Sequence, residues 1–178
     1  DYWKRHFVPP RLRPAVAPLY ERRIERLSNA GPPRLAPWAT ARDSMADLPL
    51  PAAKDEEPQV LNHVLVPGAR VYRNHTGSPI DMPSKALKAG AHGVPGGENI
   101  VVMPDGAIRY FTIRECARLQ TFPDDYVFEG TWKPLVRQVG NAVPVLLAEK
   151  LGRAIGDRIA TRRPGVDARR KPFDVVLT

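Results

Sequence analysis

The chain has 178 residues, enough for one modest domain or a domain with an appendage, and its 43% hydrophobic and 26% charged residues are ordinary for a globular protein. It contains no apolar run near the ~20 residues that a bilayer crossing needs, no signal-like apolar stretch, and one cysteine, which excludes an internal disulfide framework and is in keeping with a reducing compartment. Lys and Arg outnumber Asp and Glu by 27 to 19, a formal net charge of +8, which serves either general solubility or a polyanionic partner whose counterions are released on binding.

Ten of the 20 prolines fall in the first 60 residues, so this part is expected to be extended or broken by turns. One short helix is predicted from about Pro14 to Ala30, where Val16, Leu19, Tyr20, Ile24 and Leu27 share a face and Gly31 terminates it. Residues 49–58 are polar, acidic and proline-bounded, the composition of a loop or linker. Further on, 64–66 and 70–72 flank Pro67-Gly68 and predict two short strands about a turn. Residues 89–97 hold four glycines in a loop that must bend sharply or approach something closely. Residues 99–103 and 107–111 then flank Pro104-Asp105-Gly106, a strong hairpin signature.

Two helices are predicted after the hairpin. Thr112-Ile-Arg-Glu115 has the form of a capping box, with a helix running to about Gln120 and stopped by Pro123. The second helix is expected to begin near Asn141 as N-cap, with Pro144 in its first turn and Val143, Leu146, Leu147, Leu151, Ala154, Ile155 and Ile159 along one face. A basic tail follows from Thr161, ending in the apolar run 175–177.

Residues 109–124 (RYFTIRECARLQTFPD) closely resemble the ninth conserved motif of DNA (cytosine-5) methyltransferases, and residues 137–144 (RQVGNAVP) resemble their tenth. Residues 84–99 (SKALKAGAHGVPGGEN) are similar to the target-recognition region of a bacterial branch of that family. The Phe-x-Gly-x-Gly, Pro-Cys, Glu-Asn-Val and Gln-x-Arg-x-Arg segments of the family are not found, and Glu98-Asn99-Ile100 is read as a different feature. The resemblance therefore implies a C-terminal portion: an α+β fragment whose recognition domain has short β-strands and loops, with C-terminal helices belonging to a Rossmann-like α/β methyltransferase fold. The expected divisions are a basic, proline-rich lead-in (1–57), a target-recognition region (58–108), a ninth-motif hinge (109–135), a tenth-motif helix (136–160) and the tail (161–178).

The resemblance also implies the chemistry. A cysteine thiolate attacks carbon 6 of a flipped-out cytosine, and carbon 5 takes a methyl group from S-adenosylmethionine. Cys116 lies mid-helix beside Ile113 and Leu119, so it reads as a buried structural thiol, and no residue of this chain is assigned a catalytic role. Gly140, Asn141 and Ala142 match the cofactor-lining positions, and a helix N-terminus there would present free amides; Asn141 equally serves as a simple cap. For duplex DNA the candidates are Arg70, Tyr72, Arg73, His75, Thr76, Lys85, Lys88, His92, Gly93, Gly96 and Gly97, each also readable singly as a solvated surface residue. Arg109, Thr112, Arg114, Glu115 and Arg118 are read as scaffold, with phosphate contact the rival role for the three arginines. The four histidines lack ligand spacing and no metal is expected.

These readings leave three possibilities: part of a DNA methyltransferase, a non-catalytic DNA-binding subunit of a split enzyme, or an inactive truncated remnant. The first two imply a catalytic half as partner, in a bacterial cytoplasm and a restriction-modification setting. The apolar last helix also implies that, when that half is absent, the chain either self-associates or buries the helix on its own recognition region.

Overall fold

The computed structural model describes residues 2–31, 37–73, 76–87, 89 and 97–161, and the chain divides into two units, residues 1–144 and 145–178. The first unit is a small α+β architecture with helices α1 (Tyr2–Arg5), α2 (Pro18–Asn29), α3 (Ala41–Met45), α4 (Ile113–Leu119) and α5 (Trp132–Asn141) and strands β1 (Ser78–Pro79), β2 (Ile100–Val102) and β3 (Ile108–Tyr110). In the second unit the described residues form α6 (Val145–Ala160) and Thr161.

The predicted hairpin forms. β2 and β3 pair antiparallel with Ile100 opposite Tyr110 and Val102 opposite Ile108. The Gly106 amide donates to Met103 O at 2.9 Å, and Gly106 takes φ +86°, a left-handed conformation that glycine adopts at no steric cost. β1, which the sequence pattern did not disclose, adds to the other side of β2 in parallel, with Ser78 opposite Val101. It is two residues long and ends in Pro79, which an edge strand tolerates.

The strand pair expected at 64–66 and 70–72 does not form. Val64 instead makes an isolated parallel bridge to Ala52, with the Leu65 amide donating to Ala52 O at 2.8 Å. Those bonds take the backbone groups that a second strand would need, and Pro67 has no amide to offer. Gly68 does turn the chain, at φ +85°, but without a ladder.

Helix α2 starts at Pro18 rather than Pro14, with proline at its first turn, and none of its residues is buried. α3 was not predicted, although Thr40 and Asp43 form a complete capping box at its start. The predicted box at α4 is present: Thr112 Oγ1 accepts from the Glu115 amide at 3.1 Å and Glu115 Oε2 accepts from the Thr112 amide at 2.9 Å. α4 stops at Leu119, where Thr121 turns the chain at φ +59° ahead of Pro123.

Residues 137–144 fold differently from expectation. Asn141 is the last residue of α5, a helix that begins at Trp132, so it is not the N-cap of the helix that follows. Ala142 closes α5, and Pro144 directly precedes α6. A proline cannot extend an α-helix through its ring, which explains the break between the two. The apolar stripe on α6 is real, but no residue of α6 is buried, and Leu147, Leu151, Ile155 and Ile159 are about half exposed or more.

The core of the first unit gathers Ala41 and Met45 from α3, Val101 from β2, Ile113 and Cys116 from α4, Leu135, Val136 and Val139 from α5, and Phe111, Ile80 and Leu87 from the connections. Arg114 lies within this framework with its side chain fully buried. Its Nε donates to Leu61 O at 3.0 Å, Nη1 to Pro123 O at 3.2 Å and Nη2 to Tyr126 O at 2.9 Å. Asn62 adds a reciprocal pair with Phe128, at 2.9 and 3.2 Å. Substituting Arg114→Met should lower unfolding stability by about 1 to 3 kcal/mol, because three carbonyls lose the shared donor that ties them to α4. Urea denaturation measures this, and a loss below about 1 kcal/mol would show that these carbonyls are otherwise satisfied.

Candidate functional site

Residues 109–124 and 137–144 meet where α4 packs on the end of α5. Gln120, just past α4, donates from Nε2 to Val139 O at 3.0 Å and to Ala142 O at 3.4 Å, capping the carbonyl end of α5. At the same end Gly140 faces Leu87 and Ala89: a Cβ built on it would stand 3.1 Å from both Leu87 O and the Ala89 Cβ. Gly140 thus permits close packing of the chain's own backbone. Asn141 is exposed and Ala142 half-buried. The expected ring of free amides is not there, since this is the C-terminal end of a helix.

Arg109, Arg114 and Arg118 are all engaged within the chain. Arg109 makes a bidentate pair with Glu115, at 2.6 and 2.7 Å. Arg118 bridges Asp47 and Asp124, and those hydrogen bonds raise its own pKa and hold both carboxyls below the usual range. Burial lowers the Arg114 pKa, and its donors are spent on carbonyls. Cys116 is fully buried, and burial first, then the neighbouring Glu115 charge, pushes its thiol well above the range of a usable nucleophile.

His63, which sequence reading considered only as a metal ligand, is buried on the α4 cap. Its Nε2 donates to Pro49 O at 2.9 Å, since a carbonyl can only accept, and its Nδ1 lies 2.9 Å from Thr112 Oγ1. Thr112 Oγ1 already accepts the Glu115 amide, so its own proton is left for Nδ1. Among the described residues no group of three His, Cys, Asp or Glu is placed to hold a metal, and no helix is long and apolar enough to cross a membrane.

Of the DNA candidates, Arg70, Tyr72, Arg73, Thr76 and Lys85 are exposed. Lys85 Nζ donates to Thr76 Oγ1 at 3.0 Å, and the Lys85 amide to Ser78 Oγ at 3.1 Å, which ties this cation to β1. Arg70 and Tyr72 lie close enough to Tyr110 to act on its ionisation, which burial above all raises. Gly97 opens a short 3-10 turn leading into β2. His75, Lys88, His92, Gly93 and Gly96 lie outside the described residues, as does the tail beyond Thr161.

The family model for C-5 cytosine-specific DNA methylases matches residues 59–157, more than half of the 178 residues. The chain belongs to this family. The matched span takes in β1 to β3, α4, α5 and most of α6. DNA (cytosine-5)-methyltransferase 2 of Arabidopsis thaliana is 55% identical over 51 residues, 29% of this chain and 3% of that protein. The type II methyltransferase M.PspPI of Psychrobacter sp. (strain TA137) is 55% identical over 47 residues, 26% of this chain and 11% of the relative. M.AplI of Arthrospira platensis, also a type II methyltransferase, is 44% identical over 55 residues, 31% and 16% of the two chains. The chain thus aligns with only a small part of each of these longer methyltransferases.

Two expectations follow from this geometry. Gly140→Ala should give no helix-propensity gain, which is about 1 kcal/mol at an open helical site, and instead cost about that much through the clash with Leu87 O. Thermal unfolding reads the sign, and a raised midpoint would mean that Leu87 and Ala89 move away freely. The second concerns Asp43. Burial works against its charge, but the Thr40 amide, His6, the Thr40 hydroxyl and Arg5 overcome this and hold its carboxyl at about 2. A depressed carboxyl stabilises the fold above its unfolded value of about 3.9 and loses that contribution as pH falls toward 2. With Arg5 more than half exposed, the screened contribution is on the order of 1 kcal/mol. Asp43→Asn should flatten stability between about pH 4 and 2, and an unchanged acid limb in pH-dependent urea titrations would exclude this residue as its source.

Proposed function

We propose that this chain supplies the DNA-recognition face and one edge of the S-adenosylmethionine pocket of a DNA (cytosine-5) methyltransferase, while the sulfur nucleophile comes from outside these 178 residues. The observation that carries this reading is Cys116: the sequence has a single cysteine, and it is sealed inside α4. Family membership supplies the reaction class, and the exposed cations Arg70, Arg73 and Lys85 near the sheet are suited to phosphates. Arg109, Thr112, Arg114, Glu115 and Arg118 serve as scaffold in this proposal, since their bonds run to the chain's own caps, carbonyls and carboxylates.

S-adenosylmethionine supplies the transferable methyl group when bound. The fit to it is partial. Asn141 is the residue that would hold it, because an exposed carboxamide both donates and accepts, and the short Ala142 beside it leaves room. Gly140 would act indirectly, by setting where Asn141 stands against Leu87 and Ala89. α6, with its apolar face exposed, would pack on the Rossmann-like sheet of the complete enzyme, and on a second copy when that sheet is absent.

The proposal predicts no methyl transfer from labelled S-adenosylmethionine to DNA by the purified chain, and transfer once a catalytic half of the same family is added. Transfer by the chain alone would overturn it. Duplex binding should be weak and steeply salt-dependent. Replacing Arg70, Arg73 and Lys85 together by Gln should reduce the log–log salt slope by about 2 to 3. An unchanged slope would remove these residues from the DNA face.

A further inference from the structure

We infer that a cavity bordered by α1, α3 and β3 is a second nucleic-acid contact, binding one phosphate of the backbone together with its nucleoside. The cavity has a volume of about 250 Å³, and Arg5, Arg42 and Arg109 converge on it from three separate elements, with His6 and Glu115 in its wall and Phe7 at its rim. Each guanidinium is held by a carboxylate: Arg5 by Asp43, Arg42 by Asp81 and Arg109 by Glu115, each with a contact of 2.6 Å. In every pair the cation is the more accessible partner, with side-chain exposures of 58% against 21%, 19% against 9% and 24% against 2%.

The pairing therefore sets the orientation of the site. Asp43 and Asp81 stand behind their arginines and do not line the cavity, whereas Glu115 does line it but has both oxygens on Arg109, with Oε2 also on the Thr112 amide. Arg109 is spent on Glu115 and on the Tyr110 carbonyl and serves as the fixed back of the wall, so Arg5 and Arg42 are the cations left to a ligand. Arg5 and Arg42 bond their acidic partners without using Nη1, so donors remain. Guanidiniums already held in place lose little freedom on binding an anion, and their planar forks match phosphate oxygens.

Phe7 distinguishes a nucleotide from a bare anion. It holds φ +54°, a left-handed conformation that is costly for a bulky residue, and yet it is 91% exposed. Burial of its own ring does not offset that strain. An exposed aromatic ring beside an arginine-lined cavity large enough for more than a phosphate is a platform on which a base stacks.

The test titrates the full 178-residue chain with deoxycytidine monophosphate, inorganic phosphate and deoxycytidine in separate calorimetric arms. The monophosphate should bind, phosphate should compete with it, and the nucleoside alone should bind more weakly. Phe7→Gly, which relieves the backbone and should keep or raise the unfolding midpoint, should weaken the monophosphate about tenfold and leave phosphate unchanged. Arg5→Gln should weaken both about tenfold. With a short duplex, Arg5→Gln should lower the salt slope by about one, which separates a strand phosphate from a free nucleotide. Absence of monophosphate binding, equal binding of the nucleoside, or indifference to both variants would overturn the site; an unchanged duplex slope would overturn its assignment to DNA. None of these readouts uses Arg70, Arg73 or Lys85, so failure here and failure of the recognition face are distinguishable.

Discussion

A guanidinium cannot shed its charge, so one that is wholly withdrawn from water must find acceptors wherever the chain can bring them. Arg114 finds three carbonyls, from Leu61, Pro123 and Tyr126, with its closest carboxylate, Asp124, at 3.8 Å. These acceptors belong to two irregular segments that no ladder or helix would otherwise hold in place. Their positions are set by α4, and α4 in turn is set by its cap and by its packing on α3 and α5. Arg114 thus ties the loop before the sheet to the loop after α4. Asn62, at φ +64°, stays beside that side chain through its pair with Phe128.

Around that centre the polar groups are organised in pairs with a carboxylate behind and a cation in front. Arg109 on Glu115, Arg42 on Asp81 and Arg5 on Asp43 all follow this pattern. Tyr2 joins it by donating to Asp81 at 2.8 Å and lying 2.9 Å from Thr40 Oγ1. Burial works against the charge on Asp81, yet the bonds from Arg42 and Tyr2 prevail and keep its carboxyl ionised. The first helix of the chain is thereby joined electrostatically to residues 40–43 and 81, far along the sequence. A basic composition gives no hint of this, because opposite charges that meet across such separations are not visible as a pattern.

What was legible in the sequence was local. Thr112 and Glu115 announced the α4 cap through their spacing, and Pro104-Asp105-Gly106 announced the hairpin through its turn chemistry. The same rule applied to Thr40 and Asp43 would have found α3, whose five residues are too short to show a period. Misreadings arose where a partner from elsewhere took over. Val64 went to Ala52 instead of a neighbouring strand, and Asn141, a residue well suited to begin a helix, closed one because α5 starts at Trp132. In the candidate site, the exposure of Arg70, Arg73 and Lys85 follows from their charge, whereas the packing of Gly140 and the burial of His63 depend on tertiary neighbours that spacing does not disclose.

The His63–Thr112 contact joins residues 49 positions apart and completes the cap of a seven-residue helix. A helix that short has no stability of its own in water, because nucleation costs more than so few turns return. α4 therefore cannot serve as an early, independent seed of folding. The cap of residues 112–119 thus depends on a contact that closes a long loop, and not on its neighbours in sequence alone.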